Sequence, residues 1–175
     1  MHNTHTLRAF DYVNQPYEAV RSVLRTDPKR VFHDATSSSA ADAALAELRV
    51  TIGAIEIAAE IEIDVISMQD AVSPLQKPAY SFNLAWSSPR RPNWFPTMTA
   101  VLTIYPLSPT ETQLDFDGSY VPPLGLFGAA VDAVALHRFA DAAVAGFIRQ
   151  LAAHLRTEIS RQRVEAEHPA PAARP

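Results

Sequence analysis

The stretch Gly118-Ser-Tyr-Val-Pro-Pro-Leu-Gly-Leu-Phe-Gly128 constrains this chain more than any other. Up to about Tyr120 the residues alternate as a strand does. Beyond it, an apolar pattern of helical period runs to about Arg163. Pro122 and Pro123 stop the strand, because neither has an N–H for a ladder. Both suit the first turn of a helix, where those donors lack a partner anyway. Three of the chain's five glycines lie in this stretch, which allows close backbone passage. One long C-terminal helix is therefore expected to pack on a sheet that precedes it.

That sheet is legible upstream. Residues 6–14 read as a first strand. Gln15-Pro16-Tyr17 then opens a short helix through Leu24, with Tyr17, Val20 and Leu24 on one face. Asp27-Pro28 ends it, and a second short helix near 28–35 is an option. Ser37-Ser38-Ser39 marks a loop. From Ile55 to Val65, apolar residues alternate with Glu56, Glu60, Glu62 and Asp64. Period two predicts an antiparallel strand with one wet, acidic face. Three more strands fit 79–87, 97–106 and 111–121. Ser108-Pro109-Thr110 makes the last two a hairpin.

On the long helix, Ala133, Leu136, Ala140, Val144, Phe147, Ile148, Leu151, Leu155 and Ile159 form one stripe, the expected sheet-facing side. Val131, Ala135, Phe139 and Ala142 form a second apolar side that needs another cover, a second subunit among the choices. Arg149, Arg156, Glu158 and Arg161 read as a wet face. Ala133, Ala140, Ala143 and Gly146 are small, so the sheet comes close there or a cavity remains.

Composition removes several functions. The 175 residues are 47% apolar, enough for one domain with a core. Net charge is −4, so no basic excess points to nucleic acid. Without cysteine, disulfides, thiolate metal sites and thiol catalysis are excluded. No apolar run is long enough to span a bilayer. Met1-His-Asn-Thr-His-Thr6 lacks a signal-peptide apolar core, so a cytoplasmic protein is expected. His2, His5 and His168 are terminal. His33, His137 and His154 lack metal-site spacing, so no metal is expected. Neither a P-loop nor a G-x-G-x-x-G is present, and no cofactor is expected.

The element order from Leu7 to Ile159, with Phe10-Asp-Tyr-Val-Asn-Gln-Pro-Tyr-Glu-Ala-Val20 and the Tyr120–Gly128 junction followed by Asp132 and His137-Arg138, resembles the START/Bet v 1-like superfamily, also called SRPBCC. The resemblance implies an α+β helix-grip fold. In it, a curved antiparallel sheet wraps around a long C-terminal helix, and two short helices follow the first strand. Residues 1–163 would form one such domain, and 164–175, rich in Ala, Pro and Glu, a disordered tail. Superfamily membership further implies a deep pocket between sheet and helix. Known members bind lipids, sterols, polyketides or plant hormones, and some are cyclases, aromatases or oxygenase subunits. Fold alone does not choose among these.

The expected ligand-binding residues are Tyr80, Phe82, Trp86, Tyr105, Phe116, Tyr120, Leu124, Phe127, His137, Ala140 and Val144. Leu124, Leu126 and Phe127 would form an apolar gate, and Tyr80 or Tyr120 would supply phenol handles. His137 and Asp141 sit one turn apart, where a carboxylate orients an imidazole as acid or base. An ordinary i,i+4 helix pair is the plain alternative. Arg138 and Asp132 offer a head-group contact or a salt bridge. Arg90 and Arg91, beside Trp94 and Phe95, offer a lid or anion-contacting rim, or a solvated loop. Three functions stay open. The first is a carrier or sensor of a small apolar molecule (lipid, polyketide or isoprenoid-like). The second is a polyketide cyclase or aromatase using His137 and Asp141. The third is an interaction protein, a homodimer through the N-terminal half of the long helix.

Overall fold

The computed structural model describes residues 4–36, 62–87, 97–121 and 133–167. Within these, strand β1 (His5–Val13) leads into helices α1 (Tyr17–Thr26) and α2 (Pro28–Thr36). Strands β2 (Glu62–Val72), β3 (Pro78–Ser87), β4 (Thr97–Ser108) and β5 (Glu111–Val121) follow, then helix α3 (Ala133–Glu167). The strands form one curved sheet in the order β1-β5-β4-β3-β2, antiparallel throughout. The first strand thus lies beside the last. A long C-terminal helix, with two short helices after β1, completes the helix-grip arrangement.

Local chemistry explains the elements. β5 ends at Val121, immediately before Pro122. The optional second short helix is real. Its start is capped by Asp27, whose Oδ1 accepts from Arg30 N–H at 3.1 Å while its carbonyl accepts from Val31 N–H at 3.1 Å. β4 and β5 are joined across Pro109 and Thr110, as the turn sequence predicted. Ser73 and Lys77 close the β2–β3 turn through backbone and side-chain bonds, with Gln76 at φ 57°.

Paired register divides the sheet into two faces. One carries, row by row across β1, β5, β4, β3 and β2, His5-Tyr120-Met98-Trp86-Ile63, then Leu7-Gly118-Ala100-Leu84-Val65, then Ala9-Phe116-Leu102-Phe82-Met68, then Asp11-Leu114-Ile104-Tyr80-Asp70. This is the concave face, and the buried core lies on it. β2 keeps pace only through a bulge. Ile66 is the extra residue between Val65 and Ser67, and it is exposed. The bulge moves the inward parity from odd to even numbers. The alternation predicted up to Val65 therefore breaks, and the strand continues to Val72.

α3 lies along β1 and is anchored along its length. Ala140, Val144, Phe147, Ile148, Leu151, Leu155 and Ile159 of the predicted stripe are buried. Fully burying each large side chain contributes about 1.5–3 kcal/mol. Arg156 Nη2 donates to the Tyr12 carbonyl at 2.7 Å. Arg163 Nη2 donates to Gln15 Oε1 at 2.9 Å, while the Gln15 carbonyl accepts from Thr112 Oγ1 at 2.9 Å.

The structure corrects two expectations here, the setting of Glu158 and the end of α3. Glu158 is not on a wet face. It is buried, and its carboxylate takes a fork from Arg161 (Nη2 to Oε1 2.7 Å, Nε to Oε2 3.3 Å) and a bond from Gln162 at 2.9 Å. Packing of α2 on this side, with Arg30 3.8 Å away, accounts for its position. Of the two alternatives at the small residues, Gly146 takes the one in which space remains: a Cβ there would meet nothing within 4 Å. Gly118 lies inside β5, as the strand predicted over 111–121 has it. Val164 to Glu167 continue α3, so the helix outlasts the expected start of the tail. The predicted Ser37–Ser39 loop, the alternating residues from Ile55 to Ile61, the Arg90/Arg91 loop, Leu124, Leu126, Phe127, Val131, Asp132 and the tail beyond 167 lie outside the described residues, as do the side chains of 133–136 and 139. Among the described residues, no helix is long and apolar enough to cross a membrane.

Candidate functional site

The concave face is lined by aromatics because β3 and β5 each put theirs on one parity. Phe82, Trp86 and Phe116 stand on the sheet floor, all buried. Phe147 of α3 reaches down among them, with ring centroids 5.2 Å from Trp86 and 6.3 Å from Phe116. Phe32 of α2 closes the group, 5.9 Å from Phe82 and 6.1 Å from Phe147. These edge-on and tilted contacts are the favoured aromatic geometries. Beside them the floor dips at Gly118 and Ala100, which face each other across β5 and β4. The dip holds the Phe116 ring. A Cβ on Gly118 would stand 2.9 Å from Phe116 Cε1.

At one end of this apolar group lies a polar one. Tyr120 Oη is 3.3 Å from His137 Nδ1. His137 Nε2 is 3.4 Å from Asp141 Oδ2. His5 stacks on the Tyr120 ring at 5.3 Å and lies 5.9 Å from the His137 ring. Three elements build the cluster: β1 supplies His5, its register partner Tyr120 comes from β5, and α3 brings the i,i+4 pair. Tyr120 is 2% exposed, whereas the His137 side chain is 43% exposed. The cluster therefore joins solvent to the apolar interior. Burial first, and the Asp141 charge second, push the Tyr120 phenol above its ordinary pKa. It stays an O–H donor at neutral pH. When Nδ1 of His137 is free of a proton, Tyr120 donates to it, and the Asp141 carboxylate stands 3.4 Å from the other ring nitrogen. The three groups thus run side by side from a buried hydroxyl to a half-exposed carboxylate.

Most expected site residues meet here. Phe82, Trp86, Phe116, Tyr120, Ala140 and Val144 are buried together in one core. His137 and Asp141 pair as expected. Tyr80 stands at the other end of the same face, its ring 5.2 Å from Phe82. Tyr105 does not belong. It follows Ile104 by one residue, so it lies on the opposite sheet face and outside this core. There, burial and the neighbouring Asp115 raise its phenol pKa. Arg138 is exposed. His5, Phe32 and Phe147 were not expected in the site. His5 shares parity with Leu7, a clue the sequence did contain; the partners of Phe32 depend on how α2 docks. Among the described residues, no three His, Asp or Glu side chains are placed to hold a metal ion.

No protein-family profile matches the chain, and neither does any curated protein sequence. Solved structures do resemble it. The Zhui aromatase/cyclase from a Streptomyces species is 15% identical, with a TM-score of 0.49 over 96% of this chain and 100% of that one. A START superfamily protein from Mycobacterium smegmatis is 13% identical, with a TM-score of 0.44 over 90% of this chain and 99% of that one. A protein from Thermus thermophilus is 13% identical, with a TM-score of 0.46 over 88% and 99%. Nothing about ligand or chemistry follows from scores below 0.5. The fold stands on this chain's own strand order and helix placement.

Proposed function

We propose that the protein binds a small apolar molecule between the concave face and α3, as a carrier or sensor. The observation that supports this reading is the boundary at Tyr120 and His137. A half-exposed imidazole holds a fully buried phenol, and the phenol borders a run of aromatic side chains. Ligand sites of this kind are mostly apolar, with few placed polar groups that orient the guest. Native mass spectrometry of protein drawn gently from cell extract tests the reading, together with titration of the neutral fluorophore N-phenyl-1-naphthylamine. Expected are an added mass in the lipid or polyketide range and saturable fluorescence enhancement. Absence of both defeats the proposal.

One observation favours a second reading, an enzyme that moves protons on a carbonyl-bearing apolar substrate in the manner of a polyketide cyclase or aromatase. A hydroxyl hydrogen-bonded to an imidazole, with a carboxylate 3.4 Å from the second ring nitrogen, is a set of groups such chemistry uses. Tyr120 would take a proton from the substrate as its own passes to His137 Nδ1, and the reverse transfer would return it. Here His137→Ala should abolish turnover of a poly-β-ketone thioester while leaving the fold intact. Unchanged product distribution with that variant removes this reading and leaves binding as the function.

A further inference from the structure

At the opposite end of the concave face, α1 sets two arginines over one aromatic ring. Arg21 and Arg25 are four residues apart, so their side chains share a helix face. The Arg21 guanidinium carbon lies 5.1 Å from the Tyr80 ring centroid, and that of Arg25 lies 5.5 Å from it. Like charges four apart on a helix oppose each other, and bringing both to one ring adds to that. The ring's negative faces offset part of the repulsion. Carboxylates offset it for Arg21, whose Nη2 is 2.8 Å from Asp70 Oδ1 and whose Nη1 is 3.5 Å from Glu18 Oε2. Arg25 has no carboxylate partner among the described residues. Arg21 Nε is buried and has no acceptor. One buried donor of Arg21 without an acceptor and the Arg25 charge without a carboxylate thus lie beside the concave face.

The surroundings indicate what the match would be. Met68 and Val72 share the inward parity of β2 with Asp70, yet they are 41% and 68% exposed. They form an apolar rim beside the arginines. Behind Tyr80, the rings of Phe82, Phe32 and Phe147 follow in contact. We propose that Arg25 and Arg21, stacked on Tyr80, hold the oxyanion end of an amphipathic ligand whose apolar body lies against this rim and the aromatic run behind it. The proposal rests on the apolar-ligand reading above and adds the chemical class, an anionic amphiphile such as a carboxylate or phosphate ester. A planar guanidinium held on a ring presents its N–H edge to such a group, which a lysine would not reproduce.

The test uses two fluorophores with the same aromatic body, 1-anilinonaphthalene-8-sulfonate and the neutral N-phenyl-1-naphthylamine, on the full chain at low salt. Arg25→Gln is the informative variant, because Arg25 is exposed and carries no salt bridge among the described residues. The sulfonate should bind about tenfold more weakly to Arg25→Gln than to the wild type, with the neutral dye unchanged. Arg25→Lys should recover only part of the loss. Inorganic phosphate that displaces the sulfonate identifies a site open to free anions. Failure to displace it means the oxyanion is taken only on an apolar body; the sulfonate-specific loss supports the site either way. If both dyes bind wild type and Arg25→Gln alike, the oxyanion site is wrong and the apolar reading survives. If neither dye binds, the oxyanion site is wrong, and the apolar reading falls with it when native mass spectrometry also shows no added mass.

Discussion

Tyr120 Oη and His137 Nδ1 meet at 3.3 Å across the gap between β5 and α3, with Tyr120 buried and His137 half-exposed. Strand parity turns Tyr120 inward, and the helix stripe turns His137 toward β1 and β5. The contact links the apolar interior to water through one hydrogen bond, and it governs the first expectation.

Burial and the Asp141 charge hold the Tyr120 phenol above its ordinary value. Asp141→Asn removes the second cause only, so the phenol should titrate at lower pH than in the wild type but remain raised. Ultraviolet difference titration reads this, with Tyr120→Phe identifying the transition. The sign for stability follows. A raised folded-state pKa contributes stability below the unfolded value of about 10 and loses it as pH rises through the folded value. Tyr120→Phe should therefore lack this alkaline loss. An alkaline profile identical to the wild type would contradict the assignment.

The two described glycines should respond oppositely to alanine. At Gly118 the new Cβ would stand 2.9 Å from Phe116 Cε1 and 3.3 Å from Ala100 Cβ. Overpacking costs about 1–3 kcal/mol, more than the about 0.5–1 kcal/mol gained by removing a strand glycine. Gly118→Ala should lower the urea midpoint.

At Gly146 a Cβ meets nothing within 4 Å. Gly146→Ala should raise stability by about 0.8–1 kcal/mol through helix propensity. A loss of stability in urea titration would mean that the open space is filled in solution.

Glu158 carries the acid sensitivity of the α2–α3 contact. Hydrogen bonding from Arg161 holds its carboxyl below the usual range, against the opposing effect of burial. A lowered folded-state pKa gives stability above the unfolded value of about 4.3 and loses it as pH falls through the folded value. Glu158→Gln should cost about 1–2 kcal/mol at neutral pH. Its difference from the wild type should shrink below about pH 4, where the wild-type carboxylate also takes a proton. Thermal unfolding at pH 7 and pH 3 checks both parts.

Much of this molecule could be read from local pattern. Tyr80, Phe82, Leu84 and Trp86, like Leu114, Phe116, Gly118 and Tyr120, share a face because strand side chains alternate whatever surrounds them. The α3 stripe from Ala140 to Ile159 follows from helical period in the same way. The i,i+4 spacing alone brought His137 to Asp141.

What local pattern left undecided depended on docking. Tyr105 is as aromatic as Phe116, but parity counted from Ile104 puts it on the far face. Ile66 forms a bulge, and only pairing with β3 shows it, since a bulge is a mismatch between two strands. Glu158 looked solvated until α2 packed beside it. His5 joined the site because β1 pairs with β5, a partner more than a hundred residues away in sequence. Elements and their apolar faces follow from the chain alone, because periodicity and proline chemistry act within a few residues. Which polar groups share the site is settled by the fold, because those distances depend on how strands pair and helices dock.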